Sequence, residues 1–137
     1  MKFYWIKTNK FIKKIFPSYI WDIPNMENKV YLTFDDGPTP EITEWVLEEL
    51  KKHQAKATFF CIGKNIKNHP AIFSKVIEAG HSIGNHTYNH LKGWNTSTAE
   101  YLDNITLCES EINNLNSKIF RPPYGKIKKL QSEKLRK

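Results

Sequence analysis

At 137 residues the chain has the length of one domain with a real core, and 39% hydrophobic with 13% aromatic residues excludes a disordered polymer. A formal charge of +7 and a pI near 9.4 raise nucleic acid or an anionic surface as partners. All but two of the 21 cationic residues are lysines, however, scattered without an arginine-rich block or a nucleic-acid motif, which argues against nucleic acid.

The chain divides into residues 1–26 and 27–137. From Met1 to Trp21 there are five lysines and no acid. On a helical wheel Tyr4, Trp5, Phe11, Ile12, Ile15, Phe16 and Tyr19 share one side, and Lys7, Lys10, Lys13 and Lys14 the other. Two roles fit this basic amphipathic helix: peripheral contact of residues 1–21 with an anionic membrane, and docking of its aromatic side on the rest of the chain. The longest apolar run is Phe3–Ile6, too short for a signal-peptide core or a membrane span. Pro17 and Pro24 bracket a connector.

Beyond it, elements alternate as in a parallel α/β fold. Lys29–Phe34 predicts a buried strand ended by the Asp35-Asp36-Gly37-Pro38 turn. Thr39-Pro40 predicts an N-cap and first position for a helix whose apolar stripe is Ile42, Trp45, Val46 and Leu50. Ala57–Ile62 predicts a second strand, and Pro70–Ala79 a helix stopped by Gly80. Ser82–Gly84 predicts a short third strand. Ser97-x-x-Glu100 is a capping box for a helix carrying Leu102, Ile105, Cys108, Ile112 and Leu115 on one face. Ile119-Phe120 predicts a fourth strand, followed by a helical tail over Lys126–Lys137. Cys61 and Cys108 both fall in apolar patterns and fit two buried thiols better than a disulfide.

The polar residues cluster after strand ends, where catalytic groups of α/β barrels gather. Asp35 and Asp36 follow the first strand, His86 and His90 the third, and Arg121-Pro122-Pro123-Tyr124-Gly125 the fourth. One carboxylate, Asp36, with the imidazoles of His86 and His90 makes a two-histidine, one-carboxylate metal set with open positions. The i, i+4 histidine spacing suits one face of a helical turn. Asp35 is then free to act as a base, and Arg121 brings a cation that can hold it. Taken singly, each motif is also an ordinary turn. His53 and His69 read as surface or capping residues, His81 as a supporting residue, and Trp94 as either a core residue or a sugar-stacking one.

Together, Thr33-Phe-Asp-Asp-Gly-Pro38, His86-Thr-Tyr-Asn-His90 and Arg121-Pro-Pro-Tyr-Gly125 resemble, in order and spacing, the polysaccharide deacetylases of carbohydrate esterase family four. The resemblance runs from about Val30 to Gly125. It implies a distorted (β/α) barrel of which this chain is the N-terminal portion, and hydrolysis of acetyl groups from N-acetylated sugars of chitin-like or peptidoglycan-like polymers. It also implies a divalent metal on Asp36, His86 and His90, zinc by default, with cobalt, nickel or iron also admitted by nitrogen and oxygen donors. Asp35 becomes the general base, paired with Arg121, and the backbone N–H of Tyr124 an oxyanion donor. Later family motifs, an Asp/Trp segment and a Leu-x-His segment supplying the leaving-group acid, have no match here. The expectation is therefore a truncated chain with little activity of its own. The alternative is a catalytically dead metal- or glycan-binding remnant at a membrane surface. Localisation reads as cytoplasmic, or the cytoplasmic membrane face, from residues 1–21, whereas polymer substrates argue for export.

Overall fold

The computed structural model describes residues 8–23, 29–112 and 118–136. It divides into two compact units, one ending at Val30 and one beginning at Tyr31. In the first, helix α1 spans only Lys10–Ile15, capped by Asn9, whose side chain accepts the Phe11 N–H at 2.8 Å. The long helix expected from the wheel is thus much shorter, and residues 1–7 lie outside the described residues. The chain leaves the helix at Phe16 because the following Pro17 disfavours helical dihedrals there. Phe16 and Tyr19 then stack at 5.5 Å, Trp21 Nε1 donates to the Phe16 carbonyl at 2.9 Å, and Lys13 pairs with Asp22. Among the described residues no helix is long and apolar enough to cross a membrane.

The second unit is α/β. Strands β1 (Leu32–Asp35), β2 (Ala57–Cys61) and β3 (Ser82–Asn85) form a parallel sheet in that order. Helix α2 (Ile42–Lys52) crosses from β1 to β2, and α3 (Gly63–Asn68) with α4 (Pro70–Glu78) from β2 to β3. Parallel strands need such crossovers. Register pairs Phe34 with Phe59 and Phe59 with Ile83. These side chains share one face with Leu50, Ile66, Phe73 and Val76, and Phe34 and Phe59 stack at 5.3 Å. Helix α5 (Thr98–Glu111) closes this core with Cys108, and Ile112 follows at its end. Burying each large apolar side chain contributes about 1.5–3 kcal/mol.

The opposite sheet face carries Asp35 beside Phe60 and Phe60 beside Gly84. A Cβ at Gly84 would sit 2.6 Å from Phe60 Cε1, so the ring lies where a side chain would otherwise be.

Several elements differ from expectation. Helix α2 starts at Ile42, two residues after Pro40, because Glu41 takes a left-handed φ of 62°. Thr43 turns inward to accept the Thr39 N–H at 2.8 Å. The buried stripe therefore becomes Thr43, Val46, Leu47 and Leu50, while Ile42 and Trp45 are 68% and 62% exposed. Helix α3 was not anticipated. Ser97 Oγ accepts the Glu100 N–H at 3.2 Å, which is one half of the capping box. The inward face of α5 is Tyr101, Asn104, Ile105 and Cys108; Leu115 lies outside the described residues. The fourth strand reduces to one bridge between Asn85 and Phe120. Asn85 N–H donates to Ile119 O at 2.9 Å and Arg121 N–H to Asn85 O at 3.0 Å. Pro122 and Pro123 have no N–H with which to extend the ladder. Helix α6 (Lys129–Leu135) forms within the expected tail.

The thiols of Cys61 and Cys108 are free and buried, and burial pushes them up to about 12 and about 11, so neither is a thiolate at neutral pH. His81, at the start of β3, accepts the Ala57 N–H on Nδ1 at 3.3 Å. Burial, with Lys56 nearby, lowers its pKa from the ordinary 6.5.

Gly84→Ala is expected to cost about 1–3 kcal/mol by displacing the Phe60 ring, read as a lowered unfolding midpoint. An unchanged midpoint would show that the ring has room to move. For His81, the folded state resists a proton that the unfolded chain accepts. Its contribution is therefore complete above 6.5 and is lost as pH falls through that value toward the lower folded pKa. In denaturant titrations of the metal-free chain, His81→Gln should lose less stability than the parent between about pH 7.5 and about pH 5. Equal losses would contradict this.

Candidate metal site

The site is assembled at the C-terminal ends of the three strands. Asp35 is the last residue of β1 and Asp36 the first beyond it. Asp36 adopts a left-handed φ of 70°, a region in which Asp is enriched among non-glycine residues. That turn sends two adjacent carboxylates in different directions. A cis peptide joins Gly37 to Pro38.

Asp36 Oδ1 lies 3.5 Å from His86 Nε2 and 3.2 Å from His90 Nε2. One donor atom from each residue falls within 4.8 Å of the others. His86 is buried, and its Nδ1 lies 2.7 Å from the Arg121 carbonyl. A carbonyl only accepts, so Nδ1 carries the proton and Nε2 presents its lone pair toward Asp36. Burial lowers the His86 pKa, against the opposing pull of that hydrogen bond and of Asp35 and Asp36. His90 is half-buried, its ring 5.1 Å from that of His86 and 4.7 Å from that of Tyr124.

The two histidines do not share a helical turn, contrary to the expectation from their spacing. Residues 86–90 form a loop in which Thr87 and His90 have φ of 65° and 56°. Side-chain acceptors take the backbone donors that a helix would have used. Asn85 Oδ1 accepts the Thr87 N–H at 2.9 Å, Asn104 Oδ1 accepts the Tyr88 and Asn89 N–H groups at 2.9 Å each, and Thr87 Oγ1 accepts the Leu91 N–H at 3.1 Å. Asn85 is fixed in turn by donating to the Ile105 carbonyl at 2.8 Å. Sequence reasoning missed Asn85 and Asn104. An asparagine is an ordinary residue at a strand boundary, so Asn85 carried little signal, and Asn104 is brought to the loop only by the packing of α5.

Arg121 Nη1 donates to Asp35 Oδ1 at 2.6 Å and to Thr33 Oγ1 at 3.0 Å, and its Cζ lies 3.9 Å from the Phe60 ring centroid. Thr33 and Phe60 were not anticipated either. Tyr124 stands in the turn after Pro123 with a φ of 57° and is 63% exposed.

The remaining candidates go elsewhere. His81 pairs with Ala57, His53 ends α2, and His69 joins α3 to α4. Trp94 is 55% exposed, so it is no core residue; its Nε1 donates to Ile127 O at 3.1 Å and Lys126 Nζ lies 3.9 Å from its ring centroid.

The donor set fits a divalent ion. Two ligand atoms about 2.1 Å from a tetrahedral ion stand about 3.4 Å apart, and the Asp36-to-histidine separations are 3.5 and 3.2 Å. Two neutral-capable imidazoles and one carboxylate suit zinc and its borderline neighbours.

The sequence profile of the polysaccharide deacetylase family matches residues 22–137. Over 113 residues the chain is 42% identical to a peptidoglycan-N-acetylglucosamine deacetylase of Bacillus cereus, covering 80% of this chain and 41% of that one. It is 35% identical over 99 residues to a chitooligosaccharide deacetylase of Rhizobium leguminosarum bv. trifolii, covering 69% and 40%. The solved structure of the peptidoglycan N-acetylglucosamine deacetylase Bc1960 aligns with a TM-score of 0.77 at 40% identity, covering 82% of this chain and 54% of that one. The chain thus spans about half the length, or less, of these relatives. A profile matched over most of the chain and relatives at these identities lead to one conclusion: the chain belongs to the polysaccharide deacetylase family.

Proposed function

We propose that this chain carries the metal-binding and proton-abstracting machinery of a hydrolase that removes acetyl groups from N-acetylated amino sugars of peptidoglycan-like or chitin-like polymers. The observation that supports it is the convergence of Asp36, His86 and His90 beside a separate ion pair of Asp35 with Arg121. A turn with no chemistry to perform has no need of two adjacent aspartates with different partners.

An acetamide is a poor electrophile and water a poor nucleophile at neutral pH. A divalent ion held by Asp36, His86 and His90, zinc by default, would polarise the acetyl carbonyl and lower the pKa of water from about 15.7 toward about 7. Asp35 takes the proton of the attacking water as general base. Arg121 holds that carboxylate in place through a charge-assisted hydrogen bond. Thr33 and the Phe60 ring fix the guanidinium itself. The Tyr124 N–H serves the oxyanion that develops as water oxygen bonds to the carbonyl carbon. The carbon–nitrogen bond then breaks, acetate leaves, and the amine takes a proton. Among the described residues His53, His69 and His81 all have other places, and none is assigned this last transfer. The relatives' names point to the substrate class, since peptidoglycan and chitooligosaccharides share N-acetylated glucosamine units.

Two substitutions separate the adjacent carboxylates. Asp36→Ala should lose the metal, measured by equilibrium dialysis. In a domain completed to the length of these relatives, Asp35→Asn should retain it and lose about 10²–10⁴-fold in acetate release from N-acetylglucosamine oligomers. Equal metal loss in both variants would refute this division of labour, and a parent chain that binds no divalent ion would refute the site.

A further inference from the structure

Four hydrogen bonds run from a single turn, Ile62 to Asn65, to the two loops that carry Asp36 and the histidines. Toward the Asp36 loop, Ile62 N–H donates to Gly37 O at 2.9 Å, and Asn65 Nδ2 donates to Asp36 O at 2.8 Å. Toward the histidine loop, Gly63 N–H donates to Thr87 O at 3.1 Å, and Lys64 N–H to Tyr88 O at 3.0 Å. Gly63 and Lys64 open α3, so their N–H groups have no partner within the helix and are free for this use. The approach is close enough to demand glycine. A Cβ at Gly63 would lie 2.6 Å from Tyr88 Cδ2 and 2.9 Å from Cys108 Cα.

We infer that the first turn of α3 is the bracket that sets the separation of Asp36 from His86 and His90, with Asn65 as the positioning residue for Asp36. This rests on the reading of those three residues as a metal site. Three of the four bonds come from backbone donors and survive most substitutions. The fourth depends on the Asn65 side chain alone. Since the Asp36 carbonyl can only accept, the amide of Asn65 is oriented with nitrogen toward it. Holding both the Asp36 and Gly37 carbonyls pins the peptide between them. That fixes ψ of Asp36 and, with φ already at 70°, the direction of its Cα–Cβ bond. Without the Asn65 bond a left-handed aspartate is free to relax toward commoner dihedrals, and its carboxylate then leaves the imidazoles. Asn65 never touches the ion; it acts through the backbone of a ligand, as outer partners of metal sites do.

The test compares zinc affinity, by competition with a chromophoric chelator, in the parent chain, Asn65→Ala and Asn65→Leu. The d–d absorption of the cobalt-substituted chain reports ligand geometry beside it. Alanine and leucine are better helix formers than asparagine, so a weakened α3 cannot explain a loss in these variants. Lys67→Gly supplies the opposite control, since it weakens the same helix without touching either loop. Both Asn65 variants should bind zinc about 10–100-fold more weakly and show an altered cobalt spectrum, while Lys67→Gly lowers thermal stability with affinity near that of the parent. Zinc affinity within about threefold of the parent in either Asn65 variant overturns the inference. So does a loss in Lys67→Gly equal to that in Asn65→Ala. A parent chain that binds no zinc overturns the metal reading, and the inference falls with it.

Discussion

The turn between Asp35 and Asp36 is the constraint on which the site depends. Asp35 ends a strand and keeps the strand's side-chain direction, so its carboxylate lies on the sheet face beside Phe60 and meets Arg121. Alternation alone would put Asp36 on the opposite face, toward the apolar core. A φ of 70° breaks that alternation and turns the second carboxylate toward His86 and His90. Left-handed backbone at a non-glycine residue costs of order 1–3 kcal/mol. It persists here because the Asp36 and Gly37 carbonyls are both gripped, by Asn65 and Ile62.

What was legible in the sequence follows from what each signal encodes. Strand periodicity and the turn residues Gly37, Pro38 and Gly80 placed the three strands to within a few residues, and strand order placed the charged groups at one end of the sheet. The identity of Asp36, His86 and His90 as a group was readable because chemistry restricts which residue types can ligate together. Their geometry was not. Spacing of i and i+4 describes a helix, whereas residues 86–90 are a loop held by Asn85 beside it and by Asn104, a distant acceptor that no local pattern reveals. Helix α3 escaped for a related reason. Gly63-Lys-Asn-Ile-Lys-Asn68 has weak helix propensity and only one apolar residue, Ile66, to anchor it. Its first two N–H groups, of Gly63 and Lys64, are satisfied by the histidine loop, which is a tertiary fact.

The same distinction explains why two expected features shrank. Ile119 and Phe120 have strand composition, yet the partner edge beside them is only Asn85, and two prolines follow. The N-terminal aromatic pattern continues past Pro17 to Tyr19, but α1 ends before that proline. In both cases proline chemistry prevailed over apolar patterning, and the sequence contained the proline in plain view.

Arg121 shows how a side chain's shape, rather than its charge, decides a position. The chain uses lysine for nearly every other cation, and at exposed sites either residue would serve. At this site one guanidinium must donate to Asp35 and Thr33 while lying against the Phe60 ring. A planar, weakly hydrated cation can hold an in-plane donor to each oxygen and offer its face to the aromatic ring; an ammonium on a flexible stem cannot hold that combination. Phe60 is able to receive it because Gly84 beside it leaves the ring space to lie flat. The ion pair of Asp35 with Arg121 is thus built outward from Gly84, two residues before His86. A sheet whose other face is a conventional apolar core is what keeps Gly84, Phe60 and Asp35 in register.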